Sequence, residues 1–316
     1  MPFINILIPL LLLGSISCTE RPIKNPTRSA DSEKASTTLT GREDFNRDLN
    51  DGLFKMWGGG HAISNKNHAE ASDGRVAHLI LPQGSAAGPT HGPNLEARSG
   101  TFLYGSFAAR LKTPQCRTHK EGNIAGFFTY FNDGTDADTD GLADNSEIDF
   151  EWLCAEPESI YLTLWTDYDD ASGGQQRVIR KINLARGVIE YTRLAWGWGQ
   201  ENTKSLDGVE AQPTSVTAIP GYDASQGFYE YGFDWSEDAV TWWMRDPKSQ
   251  EKIILWDYRG PKERLTQRSA HLLVNTWHSS TWAPEDTPDA LEAPQTDLVM
   301  EVDWVHACPD YRSRCF

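Results

Sequence analysis

Short runs of alternating apolar and polar residues, bounded by Gly, Pro, Asn or Asp, recur from about residue 100 to the C-terminus. They include TFLYGSFAARLK (101–112), IAGFFTYF (124–131), SEIDFEWL (146–153), IYLTLWTDY (160–168), FYEYGFDW (228–235), VTWWMRD (240–246), HLLVNTW (271–277) and LVMEVDWVHA (298–307). Period-two alternation over such lengths is the pattern of half-buried strands. No segment carries a long helical period, and no fixed-length repeat is present. A chain of 316 residues can bury one large core. The pattern predicts an all-β protein, a two-sheet antiparallel β-sandwich, with residues 43–316 as a single domain.

The N-terminus reads as an address. Residues 4–16, INILIPLLLLGSI, are about half the ~20 apolar residues needed to cross a bilayer, and Pro9 interrupts them. Ser15-Ile16-Ser17 is a small-residue site ahead of Cys18, so residues 1–18 are expected to be a secretory signal peptide. Cys18 stands where a bacterial lipoprotein is cleaved and lipidated. A cleaved signal that merely contains a cysteine is the other reading. Residues 19–42 are polar and rich in Ser, Thr and Pro, a flexible tether. The expected destination is outside the cytoplasm: secreted, periplasmic, or a lipoprotein of the outer membrane or cell surface. Without Cys18, four cysteines remain, which suits two disulfides in an oxidising compartment. Four cysteines allow three pairings. Cys308 with Cys315 would close a short loop, leaving Cys116 with Cys154. The absence of any CxxC argues against a zinc ribbon.

Charge narrows the partners. Lys and Arg total 29 against 45 Asp and Glu, a net charge of -16. That excludes a nucleic-acid binder, whose affinity comes from cations on phosphates. It also disfavours anionic membrane surfaces and heavily sulfated substrates, so a lipid anchor at Cys18 is the one membrane attachment considered. The chain holds twelve Trp, ten Tyr and twelve Phe. Indole faces stack on the C–H faces of pyranose rings while carboxylates and amides bond the hydroxyls. An acidic, Trp-rich sandwich therefore suits a neutral polysaccharide, bound by a monomer.

The sharpest feature is Glu147-Ile148-Asp149-Phe150-Glu151. In a strand, side chains alternate between faces, so Glu147, Asp149 and Glu151 point one way while Ile148, Phe150 and Trp152 enter a core. Three acids on one strand face repel, and at least one should hold a raised pKa. A protonated carboxylic acid beside an ionised one is what glycosidic bond cleavage requires. In the next run, Leu162 and Leu164 share one face, leaving Tyr161, Thr163 and Trp165 on the other.

EIDFE resembles the signature of glycoside hydrolase family 16, in its lichenase-like branch. LEARSGTFLYGSFAARLK, GNIAGFFTYF, EIDFEWL, FYEYGFDW, LLVNTW and VDWV follow in that family's order across residues 90–307. The resemblance implies a concanavalin-like jelly roll with a concave substrate cleft, and a retaining endo-hydrolase of β-linked polysaccharide. A β-1,3-1,4- or β-1,3-glucan is the first expectation. Transglycosylation or cleavage of an agar- or carrageenan-type galactan is the alternative. By position, Glu147 would be the nucleophile and Glu151 the general acid/base. Asp149 would hydrogen-bond the nucleophile. Glu96, Arg98, Phe128, Tyr130, Thr163, Trp165, Trp277 and Trp282 match substrate-binding positions. No catalytic cofactor is implied.

The chain departs from the family where Tyr229 replaces a usual His and Thr163 an Asn. The stretches 133–146 and 166–227 are longer than a minimal lichenase needs. DADTDGLADNSE (136–147) formally fits the EF-hand loop, but it lacks flanking helices and would consume Glu147. Asp136, Asp138, Asp140 and Asp144 could still form a different calcium loop, or be a solvated acidic turn. Asp303 in VDWV matches a family position for a structural calcium. A non-catalytic carbohydrate-binding module on the same fold is the competing class of function.

Overall fold

A computed structural model describes residues 41–169, 171–197, 202–284, 291–309 and 316. The signal segment, nearly all of the tether, Cys18 and Cys315 lie outside these residues. The strands are β1 (Gly41–Glu43), β2 (Phe54–Gly58), β3 (His61–Asn67), β4 (Arg75–Leu81), β5 (Pro93–Phe102) and β6 (Gly105–Lys112). Then come β7 (Asn123–Asn132), β8 (Asp144–Leu153), β9 (Ser159–Asp169), β10 (Gly174–Asn183), β11 (Val188–Trp196) and β12 (Thr203–Ser205). The last are β13 (Tyr229–Trp235), β14 (Val240–Arg245), β15 (Lys252–Tyr258), β16 (Ala270–His278) and β17 (Leu298–Cys308). Among the described residues no helix is long and apolar enough to cross a membrane.

Two antiparallel sheets form, as the alternation predicts. One has nine strands in the order β12-β11-β10-β9-β8-β7-β16-β5-β2. The other has eight, in the order β15-β14-β13-β6-β17-β4-β3, with β1 added beside β17. Non-consecutive neighbours such as β7-β16-β5 and β13-β6-β17 are the crossovers of a jelly roll. The long stretch at 166–227 builds the end of β9 together with β10, β11 and β12, and so widens the nine-stranded sheet.

The core lies between the sheets. Phe127, Ile148, Phe150, Trp152, Leu162 and Leu164 enter it from the nine-stranded sheet, and Phe107, Tyr231, Phe233 and Trp242 from the other. Phe150 is its hub. Its ring stacks on Trp152 at 5.8 Å and meets Tyr231 at 5.7 Å and Phe127 at 6.2 Å. Such offset and tilted contacts add to the area each ring buries. Two polar ties cross the core. Trp242 Nε1 donates to the Asp149 carbonyl at 3.0 Å, and Trp152 Nε1 to the Tyr222 hydroxyl at 3.2 Å. That hydroxyl in turn meets the Tyr231 hydroxyl at 2.7 Å. Tyr229, at the family's usual His, stacks into the same group with its ring 4.7 Å from Tyr222.

One cation is buried in this core. Arg180 of β10 donates to Thr192 Oγ1 and to the carbonyls of Pro213 and Leu255, and its guanidinium lies 5.1 Å from the Trp256 ring. Burial lowers its pKa to about 10, which leaves it charged at neutral pH. Carbonyl dipoles and an indole face serve in place of a carboxylate partner.

Cys116 and Cys154 form a disulfide with Cα atoms 5.3 Å apart, which selects among the three pairings the sequence leaves open. Cys308 is also disulfide-bonded. Asp303, expected to ligate calcium, is fully buried and meets Arg110, while Ser72 donates to it from its backbone N–H and hydroxyl at 3.1 Å. A guanidinium therefore stands where a metal cation was expected. Phe150→Ala removes the hub of the core and should cost about 3–5 kcal/mol, read as a lower midpoint in denaturant unfolding.

Candidate functional site

Because β8 sends Ile148, Phe150 and Trp152 inward, Glu147, Asp149 and Glu151 stand on the outer face of the nine-stranded sheet. Strand register then fixes what surrounds each acid. Glu147 lies opposite Tyr130 of β7 and Trp165 of β9, with Arg177 of β10 beyond Trp165. Asp149 lies opposite Phe128 and Thr163. Beyond Phe128 come Leu273, Glu96 and Lys55. Glu151 lies opposite Gly126 and Tyr161, with Asn275, Asn94 and Trp57 continuing beyond Gly126. Five residues expected to bind substrate (Glu96, Phe128, Tyr130, Thr163 and Trp165) thus fall in the acids' own rows.

Trp277 stands in the next row beyond that of Glu151, opposite Ile124 and Leu153, with Trp282 beside it. They pack on Ile124, Leu153, Tyr161 and Ile179, with Trp282 edge-on to Tyr161 at 5.1 Å. Arg98 stands apart. It lies where the register of β5 with β16 breaks, is exposed, and donates to the Phe54 carbonyl at 3.0 Å. With Lys55 it lines a cleft of about 590 Å³ between β2 and β3.

The acids are not equivalent. Burial raises all three. Glu147 rises to about 7, held back by Asn145 Nδ2, which donates to Glu147 Oε2 at 2.8 Å. Glu151 rises to about 8 through burial and the charge of Glu147, against the pull of Arg177. Asp149 is raised by burial and by both neighbours, against a hydrogen bond from the Trp165 indole. Its Oδ2 is buried without a partner, so a proton held there has a donor atom to offer. Arg177 lies over Trp165, 4.7 Å from the ring centre. That contact and the Asp149 bond fix the indole between an acid and a cation.

Sequence reasoning missed Lys55, Asn145, Arg177 and His271. Lys55 Nζ and His271 Nδ1 bracket Glu96 Oε1 at 2.8 and 3.3 Å. Their positions follow from pairing partners distant in the chain, and no local motif marks them.

The acidic turn precedes β8. Oxygens of Asp136, Asp138 and Asp144 come within 4.8 Å of one another, as do those of Asp138, Asp140 and Asp167. Asp136 accepts the backbone N–H groups of Asp140 and Gly141, while Asp144 accepts that of Ala137 and pairs with Arg268 at 3.0 Å. Much of the carboxylate capacity of Asp136 and Asp144 is therefore spent within the protein. Glu147 stands in β8, which agrees with rejecting the EF-hand.

Residues 57–196 match the family model described as glycosyl hydrolases family 16. That match spans 140 of the 316 residues. The matched segment holds all three acids, and the match supports a glycoside hydrolase. A search of curated protein sequences found no match. Among solved structures, a Crh5 transglycosylase in complex with NAG is similar in fold, with TM-score 0.50 and 14% identity. That similarity covers 85% of this chain and 83% of the other. A Bacillus licheniformis β-glucanase gives TM-score 0.45 and 18% identity, over 86% of this chain and 99% of that one. A κ-carrageenase from Pseudoalteromonas carrageenovora gives 0.45 and 16%, over 92% and 98%.

The raised acids carry a stability consequence. A carboxylate whose folded pKa exceeds its unfolded value costs nothing at low pH, where both states are protonated. It destabilises the fold as pH rises from the ordinary 4.5 through the folded value. For Glu151 that window runs from 4.5 to about 8. Glu151→Gln should therefore be more stable than wild type above pH 8, by up to roughly 5 kcal/mol, and equal to it below pH 4. Thermal melts across that range check the sign.

Proposed function

We propose that this chain is an exported, retaining endo-hydrolase of a neutral β-linked glucan, β-1,3-1,4 or β-1,3. One observation carries the catalytic reading: three carboxylates share one strand face and sit among aromatic side chains, on a strand nailed to the core by its other face. Glu147 is the nucleophile. The hydrogen bond from Asn145 makes it the easier of the two glutamates to ionise. Glu151, which holds its proton to higher pH, is the general acid and then the general base. Asp149 supports the nucleophile from between them, its buried Oδ2 able to hold a proton that eases the return of negative charge to Glu147.

In the first step a Glu147 oxygen attacks the anomeric carbon as Glu151 protonates the leaving glycosidic oxygen. In the second, Glu151 takes a proton from water, which displaces Glu147 and restores both acids. Trp165, Phe128 and Tyr130 supply ring faces around the acids. The acids and the net charge of -16 favour an uncharged chain over a polyanion. Any structural cation belongs to the acidic turn, and no step runs through it.

Glu147→Ala should reduce release of reducing sugar at least about a thousandfold while glucan binding persists. Wild-type protein that binds glucans and cleaves none would favour a binding module. Lichenan or laminarin should fall to short oligosaccharides, with the β anomer appearing first by proton NMR. Cleavage of agarose or carrageenan with both glucans untouched would move the assignment to a galactan. The pH profile of kcat/KM should rise as the lower member ionises near 7 and fall as the higher loses its proton near 8. Asn145→Ala should move the acidic limb upward.

Export rests on residues 1–18 and on the Cys116–Cys154 disulfide, which suits an oxidising compartment. The mass of the mature protein tests it: loss of the leader is expected, with or without a lipid on Cys18. A full-length cytoplasmic product would overturn it.

A further inference from the structure

Twelve tryptophans are divided unevenly between core and surface. Trp152, Trp235, Trp242, Trp243 and Trp256 are fully buried, whereas Trp57 is 38% exposed. Trp57 belongs to β2, the edge strand of the nine-stranded sheet. Phe54 and Met56 of the same strand pack into the core. Lys55 between them reaches Glu96 on the outer face. Alternation therefore places Trp57 on the face that carries the acids.

Its row is informative. Trp57 pairs with Asn94, Asn94's strand with Asn275, Asn275 with Gly126, and Gly126 with Glu151. Four strand spacings of about 4.8 Å separate β2 from β8, so Trp57 stands about 19 Å from the Glu151 position. The floor between them is low. Gly126 has no side chain, and a Cβ there would meet Asn275 Oδ1 at 2.7 Å. Asn275 and Asn94 are buried and tied to each other, Nδ2 of the first donating to Oδ1 of the second at 3.0 Å. Glycine and two flattened amides thus leave a trough with Glu151 at one end and an exposed indole at the other. Beyond the indole lies the cleft of about 590 Å³ that Lys55 and Arg98 line.

The indole's anchorage is rigid. Gly58 and Gly60, which follow it, hold φ of +87° and +71°, and a Cβ on Gly59 would lie 2.3 Å from the His91 carbonyl oxygen. The turn after Trp57 is pressed against the 89–93 segment and can be built only from residues without side chains. A rigidly held indole is thereby left partly open to solvent in the same row as Glu151.

We infer that Trp57 is a distal sugar-stacking platform that makes this enzyme select long, unsubstituted β-linked glucan chains, the chain crossing β7, β16 and β5 between Glu151 and the indole. The inference rests on the hydrolase reading above. A pyranose face seats on the indole, its C–H bonds on the ring's negative face. The intervening sugars fill the trough over Gly126, Asn275 and Asn94. Because the platform touches no reacting atom, its effect falls on chain-length selectivity.

The experiment compares wild type, Trp57→Ala and Trp57→Tyr on linear β-glucan oligosaccharides of three to eight units and on the polymer. The wild-type to Trp57→Ala ratio of kcat/KM should climb with chain length, reaching about tenfold through KM once the chain spans the trough. Trp57→Tyr, which restores a ring, should recover most of that loss. Superimposable melting curves exclude misfolding as the cause. A ratio that stays flat with length, whether at one or at a uniform loss, overturns the platform and leaves the hydrolase reading intact. Wild-type protein that cleaves no member of the series overturns the hydrolase reading itself.

Discussion

Everything functional in this molecule hangs on one strand being driven inward on one side so hard that it can hold charge on the other. Ile148, Phe150 and Trp152 each bury essentially all of their surface. Fully burying side chains of this size stabilises by about 1.5–3 kcal/mol apiece. The indole of Trp242, arriving from the opposite sheet, also ties the Asp149 carbonyl. Three neighbouring acids, Asp149 buried and Glu147 and Glu151 half-buried, repel one another and work against that stabilisation. The core on the inner face is what allows the outer face to stay in a state that would otherwise relax by turning the acids to solvent.

That tension is resolved by unequal protonation. Identical surroundings would give the acids a shared, ambiguous proton. Here each acid has its own polar neighbour: Asn145 for Glu147, the Trp165 indole for Asp149, Arg177 for Glu151. The neutral amide bonds Glu147 directly and eases its ionisation, whereas the charge of Glu147 raises Glu151 further and Arg177 acts on it only through space. Two similar side chains four residues apart can then take opposite roles, which is the separation that acid/base partners need. Trp165 links two of these influences, since it donates to Asp149 while lying under Arg177.

Much of this was legible in the sequence because strand alternation is a local property. Glu147, Asp149, Glu151, Thr163 and Trp165 share their face simply by parity of position. The nonlocal part was hidden. Arg180 occupies a core position between Val178 and Ile182, and so disguises β10 as a polar segment until the carbonyls of Pro213 and Leu255 are seen to receive it. Asp303 looked like a cation ligand, and it is one, but the cation is Arg110 from a strand almost two hundred residues earlier in the chain. Arg98 matched a binding position, yet the irregular register of β5 sets it beside the cleft at β2 and β3 and not in an acid row. Each of these depends on which strand lies beside which, and alternation says nothing about that.

The sheet's breadth gives the site its reach. Flanked by β7, β16, β5 and β2 on one side and β9 to β12 on the other, β8 lies near the middle of nine strands. A chain that continues past the acids in both directions can spend contacts on either flank, and interactions far from the scissile bond can be used to distort and orient the sugar at it. The contacts differ across the two flanks: Gly126, Asn275 and Asn94 are low and uncharged, while Arg177, Lys181 and Tyr191 rise from β10 and β11. A polysaccharide with its own direction, laid across such a sheet, has one orientation in which its faces and hydroxyls fit both flanks. The asymmetry of the floor thus favours one direction of an extended ligand over the other, before any difference in protonation among the acids takes effect.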